Sequence, residues 1–197
     1  METNRLEAFS DGVLAIVITI MVLELKIPHG EDLTALFPLW PVFSSYALSF
    51  VYIGIYWNNH HHMLKASERV NGQILWANLH LLFWLSLLPF TTGWMGENHF
   101  ARWPTFFYGL NLLVTAIAYY VLQTSLVHLH GPRSLLASAI GRDVKGKASP
   151  FLYVLGIVTT WLFSPWGGLV FFVGVALMWL VPDRRIEDRL EVRKSDT

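Results

Sequence analysis

Arg5 and Asp11 stand at the entrance of a strongly apolar segment, and their charges are the first sign of chemistry in this chain. The two residues lie six positions apart, and residues 12–23, which follow Asp11, carry no charge. Burying a charge where a helix enters lipid is costly unless a partner neutralises it. Ionisable groups in such places mark ion pathways, proton relays or buried ion pairs, so these two residues define a first candidate functional site.

Three consecutive histidines, His60 to His62, form a second cluster of ionisable groups. Successive residues point about 100° apart on a helix, so the three rings cannot bind one metal ion together. A helical metal site needs i, i+4 spacing, and the other histidines do not supply it. We therefore predict no metal site, and we expect His60 and His62 only to lie at the level of the lipid headgroups.

A polar network is expected around Asp11. Trp57 and His61 are four residues apart and share one helix face. The topology derived below places His61 at the depth of Asp11 and Arg5, where an Asp–His–Arg network would give each charge a partner. Asn78 lies one or two turns deeper in the membrane, where an amide normally bonds a neighbouring helix, and it could join this network.

The first apolar segment also carries a regular stripe of side chains. Six residues recur at the i, i+3, i+4 spacing of one helix face: Gly12, Ile16, Thr19, Ile20, Leu23 and Ile27. In a lone helix such a stripe is more often a packing surface than a pore lining. The flanking charges of Arg5, Asp11, Glu24 and Lys26 nevertheless indicate that part of this helix meets water. Thr19 either bonds back to its own helix or faces a permeating ion, and spacing alone favours the first.

Composition identifies an integral membrane protein. Of the 197 residues 54% are hydrophobic and 14% are charged, against about 25% charged in soluble domains. Zero net charge without a basic block argues against a nucleic-acid partner. The absence of cysteine excludes disulfides and thiolate sites. The N-terminus lacks the pattern of a cleavable signal peptide, so we expect the first apolar segment to be retained.

The charge-free stretches predict an all-α fold with six transmembrane helices. Four are predicted over about residues 9–27, 37–63, 73–94 and 103–127, the third with a kink at Pro89. Residues 148–182 would make a helix too long for one crossing. The turn-forming residues 164–168 instead predict a hairpin of two short spans. Residues 1–182 thus form a six-helix membrane domain, and residues 183–197 a charged cytoplasmic tail.

The distribution of basic residues supports this count. With six spans, both termini lie on one side of the membrane, and twelve of the fourteen Lys and Arg residues fall there, at positions 5, 65, 69, 133, 142, 145, 147, 184, 185, 189, 193 and 194. Only Lys26 and Arg102 fall on the other side. Since cytoplasmic loops are enriched in Lys and Arg, both termini are predicted to be cytoplasmic.

The first helix resembles a known channel signature. The pattern Arg5-x-x-x-Phe9-Ser10-Asp11, followed by the apolar run to Leu23, is similar to the first helix of the transmembrane protein 175 family of potassium channels. The likeness is to the bacterial branch, whose subunits have six spans and one copy of the motif. Trp57 to His61 and Asn78 also match the family pattern, whereas spans four to six match only in general character.

The resemblance implies a homotetramer in a bacterial inner membrane, with four first helices around one pore. It implies conduction of K⁺ with modest selectivity over Na⁺. The ligands are the permeant cations, and no cofactor is expected. The constriction would lie at Ile16, followed outward by Ile20 and Leu23, with Thr19 where some members place a selectivity hydroxyl. A network at the pore entrance would comprise these residues: Arg5, Phe9, Ser10, Asp11, Trp57, His61 and Asn78.

Two other classes of protein, a transporter and an enzyme, are alternatives to a channel. A proton-coupled secondary transporter would use Asp11 and His61, but the chain has no internal repeat and no paired broken helices. An intramembrane enzyme would need a nucleophile and base at one depth, or a metal box, and the sequence offers neither. We therefore predict a channel that is not an enzyme, with the transporter as the alternative.

Overall fold

The computed structural model describes residues 3–141 and 143–180, and within them every regular element is helical. A 3-10 helix at Leu33–Leu39 precedes the second α-helix. The α-helices are α1 (Asn4–Leu23), α2 (Trp40–Lys65), α3 (Gly72–Ser86), α4 (Leu88–Glu97), α5 (Arg102–His130), α6 (Leu135–Ile140), α7 (Val144–Leu162) and α8 (Pro165–Leu180). The tail predicted for residues 183–197 lies outside the described residues.

Helix α1 begins earlier and ends earlier than the sequence predicts. It starts at Asn4, because the charged residues ahead of the apolar run are good helix formers. It ends at Leu23, so the prediction that the helix reaches Ile27 is wrong by one turn. Pro28 disfavours helical geometry at the residue before it, which leaves Ile27 in the connecting loop.

The third predicted span is a broken helix. Helix α3 ends at Ser86 and α4 starts at Leu88, with Leu87 between them. Pro89 has no N–H to donate to Leu85, and its ring would clash with that carbonyl, so the continuous hydrogen-bond ladder fails here. The break falls where the sequence predicts a kink, and it re-aims α4 along α1 and α2.

Buried polar contacts hold the longer helices together. The Ser49 hydroxyl of α2 lies 2.7 Å from the Thr92 hydroxyl of α4 and 3.0 Å from the Tyr108 hydroxyl of α5. The Tyr52 hydroxyl donates to the Phe172 carbonyl of α8 over 2.6 Å. Inside a membrane such polar groups have no water to bond, so these contacts fix which helices are neighbours.

Four helical segments among the described residues are long and apolar enough to span a membrane: Asn4–Leu23, Leu33–Lys65, Gly72–Glu97 and Arg102–His130. They correspond to the first four predicted spans. Helix α8 is apolar but only 16 residues long, and α7 has 19 residues. The chain turns back at residues 163–164 between them, whereas residues 165–168 of the predicted turn form the first turn of α8. The count of six spans stays a prediction.

Candidate functional site

The predicted pore-lining stripe of α1 is not covered by the rest of the chain. Ile16 is 59% exposed, Ile20 43% and Leu23 79%. The opposite side of the helix packs into the bundle through five residues: Leu6, Ser10, Leu14, Val17 and Met21. One face of α1 therefore holds the helix in place, and the stripe is left for contacts outside this single chain.

Thr19 bonds back to its own helix, as one of the two expectations has it, and its position facing an ion stays a prediction. Its side chain is exposed on the stripe, and its hydroxyl donates to the Ile16 carbonyl over 2.9 Å. A hydroxyl that donates to its own helix keeps its oxygen lone pairs available to a cation. The local bond therefore does not prevent Thr19 from facing an ion.

A groove of about 690 Å³ lies beside the stripe, between α1 and α4. Ile16 and Ile20 line one wall, and Pro89 and Gly93 line the other. The break before Pro89 sets the direction of the α4 wall. The groove continues the exposed apolar surface of α1 and ends at Glu24.

A buried chain of hydrogen bonds fixes α1 to α2 and α3. The Ser10 hydroxyl donates to the Leu6 carbonyl over 2.8 Å, so its oxygen accepts from the Asn78 amide nitrogen over 2.9 Å. The Asn78 amide oxygen then faces the His60 Nε2 at 2.7 Å. Because that oxygen can only accept, His60 carries its proton on Nε2. Each of these hydrogen bonds thus has a fixed donor and a fixed acceptor.

His60 corrects the sequence analysis. The prediction that it only lies at the headgroup level is wrong, because it is 2% exposed and bonded to Asn78. Asn78 joins helices as expected, and Ser10 of the predicted network is its partner on α1. The sequence offered one signal that was not used, since His60 is the histidine one turn beyond Tyr56, on the buried face of α2.

The predicted Asp11–His61 pair is replaced by two other contacts. The Trp57 Nε1 donates to the Asp11 Oδ1 over 3.0 Å, and the His61 Nδ1 lies 2.6 Å from the Glu7 Oε1. The Trp57 and His61 rings stack with centroids 6.0 Å apart, as their shared face implies. Glu7 was missed, although it lies one turn before Asp11 and so reaches the same neighbouring helix.

Arg5 and Phe9 do not enter this network within the single chain. Both are exposed, and both lie on the same face of α1 as Ile16. The exposed face of α1 thus extends beyond the predicted stripe to the N-terminal end of the helix, where it ends in the cation of Arg5. The network at this end of α1 has three parts. Asp11 bonds Trp57, Glu7 pairs with His61, and the buried hydrogen bonds join Ser10, Asn78 and His60.

The other end of the stripe carries three charges. The Glu24 carboxylate lies over Gly93 of α4, and the Lys26 Nζ is 2.6 Å from the Glu97 Oε1. The hydrogen bond to Glu97 and the charge of that carboxylate raise the pKa of the Lys26 ammonium. This pair joins the loop after α1 to the end of α4. Glu24 and Lys26 stand out in the sequence as charges flanking the first apolar segment, whereas Glu97 carries no such signal.

The site has the features of a helical membrane protein rather than those of a metal centre. Among the residues that the structure describes, no group of three or more His, Asp and Glu is placed to hold a metal ion. The fold and the uncovered apolar helix define a polytopic membrane protein.

Comparison with known proteins gives the family. The model of a family described as "Endosomal/lysosomal potassium channel TMEM175" matches residues 5–89, which include α1, α2, α3 and the start of α4. The whole chain is 53% identical to a potassium channel from Chryseobacterium sp. (strain P1-3) over 191 residues, covering 97% of this chain and 99% of the relative. This chain belongs to the TMEM175 family.

Two further proteins are similar. A potassium channel from Streptomyces collinus is 34% identical over 67% of this chain and 69% of its own length. The crystal structure of a lysosomal potassium-selective channel TMEM175 homolog from Chamaesiphon minutus superposes with a TM-score of 0.80 at 28% identity, covering 92% of this chain and 97% of that one.

Proposed function

We infer that this protein is a potassium channel of the TMEM175 family. The observation that carries this conclusion is the 53% identity, over 97% of the chain, with a bacterial protein named a potassium channel. Membership in a family of ion channels means that the protein is not an enzyme. The permeant species are monovalent cations, K⁺ among them.

The pore is proposed to lie on the axis of a homotetramer, with the stripe of α1 facing it. Exposure of Ile16, Ile20 and Leu23 does not by itself distinguish a pore from lipid, since both accept apolar side chains. The polar residues on and around the stripe favour water, because Thr19 lies within it, Arg5 ends it on one side and Glu24 on the other. A lipid-facing helix would place charges at such positions only at a cost.

Helices α7 and α8 are proposed to be the fifth and sixth spans. At about 1.5 Å per residue, their 19 and 16 residues are short for a bilayer, but they pack on two longer spans. The Tyr52 hydroxyl of α2 donates to the Phe172 carbonyl of α8, and Tyr108 of α5 contacts the Phe172 ring edge to face. An even number of spans, together with basic loops on one side of the membrane, supports cytoplasmic termini in a bacterial inner membrane.

Selectivity is proposed to come from hydration. A ring of four Ile16 side chains would exclude water when narrow and pass a partly dehydrated cation when wider. Potassium gives up water more readily than sodium, so a modest preference needs no carbonyl filter. The role of the buried Ser10–Asn78–His60 chain is to hold α1 at a fixed rotation, because a small rotation would move Ile16 off the axis.

The alternative of a proton-coupled transporter has less support. It requires proton transfer between Asp11 and His61, whereas these residues bond Trp57 and Glu7 respectively. A transporter would also show saturating, substrate-dependent flux with a fixed number of protons. Neither the geometry nor the names of the relatives favour that behaviour.

Bilayer recording of the Ile16→Asn variant tests the proposed pore. An amide at the constriction attracts water, so we expect larger conductance and a lower preference for K⁺ over Na⁺, seen as a reversal potential closer to zero under K⁺/Na⁺ bi-ionic conditions. Val22→Asn is the matched control, because Val22 is also exposed but lies on another side of α1. It should leave the reversal potential unchanged.

Two outcomes would contradict the proposal. Unchanged conductance and reversal potential in Ile16→Asn would exclude this residue as the constriction. Absence of any K⁺ current from the purified, correctly assembled wild-type protein would contradict the channel function itself.

A further inference from the structure

A second groove lies far from α1, between the end of α5 and the start of α7. It has a volume of about 480 Å³ and is closed on the third side by α6 and the loop before it. His128 and Thr124 line its α5 wall, and Lys147 lines its α7 wall. No part of the proposed conduction pathway uses this groove.

The chain around the groove is strongly basic. Residues 128–147 contain four Lys and Arg residues, at positions 133, 142, 145 and 147, and one acidic residue, Asp143. The Lys145 ammonium lies 5.9 Å from the centre of the Trp179 ring and so points toward α8. Lys147 and Arg133 are exposed at the groove and beside it. The surface presented there is therefore cationic.

The single carboxylate, Asp143, also lines the groove and offsets one of these positive charges. The Asp143 Oδ1 accepts from the Gly146 backbone N–H over 3.0 Å, which caps the start of α7. Its Oδ2 accepts from the Gln123 amide over 3.1 Å. Both oxygens thus accept hydrogen bonds that fix α7 against α5. Against this one negative charge stand the exposed Lys147 and Arg133, which leave the groove mouth net positive.

Below the charged mouth the same surface is apolar. Tyr120 lines the groove and is exposed, and Ile117 lies exposed one turn further along α5. On α7, Phe151 is exposed one turn beyond Lys147. A cationic mouth above an aromatic and aliphatic wall has the layout of one phospholipid, with its headgroup at the membrane surface and its acyl chains along the helices.

We propose that this groove binds the headgroup of an anionic phospholipid. Lys147 and Arg133 contact the phosphate, and Tyr120, Ile117 and Phe151 contact the acyl chains. Basic pockets between helices on the cytoplasmic side are suited to anionic lipids, and each Lys or Arg near the membrane surface contributes about 1 kcal/mol. The inference rests on the membrane orientation proposed above and does not depend on ion conduction.

Native mass spectrometry of the purified full chain tests the proposal. The protein is titrated with phosphatidylglycerol or with phosphatidylcholine, and the lipids bound per subunit are counted. Wild type should retain phosphatidylglycerol preferentially. The double variant Lys147→Gln, Arg133→Gln should bind it about thirtyfold more weakly, because two cations at about 1 kcal/mol each contribute about 2 kcal/mol. Lys65→Gln, Arg69→Gln is the matched control, because it removes the same charge from exposed residues on the same side, and it should bind like wild type.

Several results would overturn the proposal. Equal retention of the two lipids by wild type, or equal loss in both double variants, would show no specific site. A carbodiimide crosslink between Lys147 and an acidic residue of 183–197 would assign the groove to the tail, and displacement of lipid by inorganic phosphate would assign it to a soluble anion. Because binding is measured without current, failure here is distinct from failure of the channel function.

Discussion

At the scale of single residues, the rotation of α1 depends on three side chains from three helices. Ser10, Asn78 and His60 form a chain of hydrogen bonds in which the donor and the acceptor of each bond are fixed. All three are fully or almost fully buried, so water cannot replace a lost partner. Removing one member leaves another without a bond, and this makes the chain a sensitive point of the fold.

Ser10→Ala is expected to destabilise the protein by about 1–2 kcal/mol, because the Asn78 amide nitrogen loses its acceptor in a buried site. The measurement is the midpoint of thermal unfolding of the purified protein in detergent. Ser125→Ala is the control, since the Ser125 hydroxyl only donates to the Val121 carbonyl of its own helix. Equal midpoints for the two variants would show that the buried chain adds nothing to stability.

The need of Asn78 for a partner on another helix could be predicted from the sequence, but the identity of that partner could not. Asn78 had to bond another helix, because an amide in lipid needs a partner. The choice between His60 and His61 depends on the rotation of α2, which three successive histidines do not reveal. His61 shares the more exposed face with Trp57, so its partner became Glu7, while His60 turned inward to Asn78.

At the scale of elements, the α7–α8 hairpin depends on close contact between small residues. A Cβ on Gly168 would collide with the Thr160 hydroxyl and approach the Gly156 carbonyl oxygen to 2.7 Å. A Cβ on Gly156 would in turn meet Phe171 at 3.1 Å. Glycine therefore lets the two backbones approach each other, as small residues do between membrane helices.

Gly168→Ala should separate α7 from α8 and cost about 2 kcal/mol through overpacking. Gly174→Ala is a matched control on the same helix, because a Cβ there meets nothing within 4 Å. Thermal unfolding of both variants in detergent checks this. If Gly168→Ala unfolds at the same temperature as Gly174→Ala, the close contact is not needed for the hairpin.

The elements were predicted where one residue decides the geometry. Pro89 predicted the break between α3 and α4, and the turn residues around Ser164 predicted the return between α7 and α8. The end of α1 was placed one turn too far, because hydrophobicity continues past the point where Pro28 stops the helix. Helix α6 was not predicted, since a six-residue helix has no measurable period.

At the scale of the whole molecule, charge is separated along the proposed pore axis. In the proposed orientation, Arg5 lies at the cytoplasmic end of the stripe, and Glu24, Lys26 and Glu97 lie at the outer end. Lys26 is paired with Glu97, and its raised pKa means that it loses its proton, and the pair its attraction, only above the ordinary lysine range. Glu24 is therefore the carboxylate left to attract cations to the outer mouth.

Glu24→Gln should lower K⁺ conductance roughly twofold in about 0.05 M KCl and leave it nearly unchanged in 1 M KCl, since salt screens the attraction. Single-channel recording at both concentrations measures this. Glu31→Gln removes an exposed charge from the neighbouring loop and serves as control. A salt-independent loss in Glu24→Gln would instead indicate a structural role for this residue.

The membrane class and the first four spans could be predicted from charge-free stretches and the distribution of Lys and Arg. The tetramer could not be predicted in this way, because an exposed apolar face can contact lipid, a neighbouring subunit or a pore. Ile16, Ile20 and Leu23 were selected by family resemblance, and the structure leaves them uncovered in the single chain. Their role is thus the central claim still open to direct measurement.

Silver accessibility tests that claim most directly. The chain contains no cysteine, so each of Ile16→Cys, Ile20→Cys and Leu23→Cys places a single thiol on the stripe of an otherwise unreactive protein. Ag⁺ is close to K⁺ in size and reacts with thiols, so it should block the K⁺ current of these three variants irreversibly and leave Val22→Cys unaffected. Block of Val22→Cys, with the three stripe variants still conducting, would place the ion pathway on another face of α1.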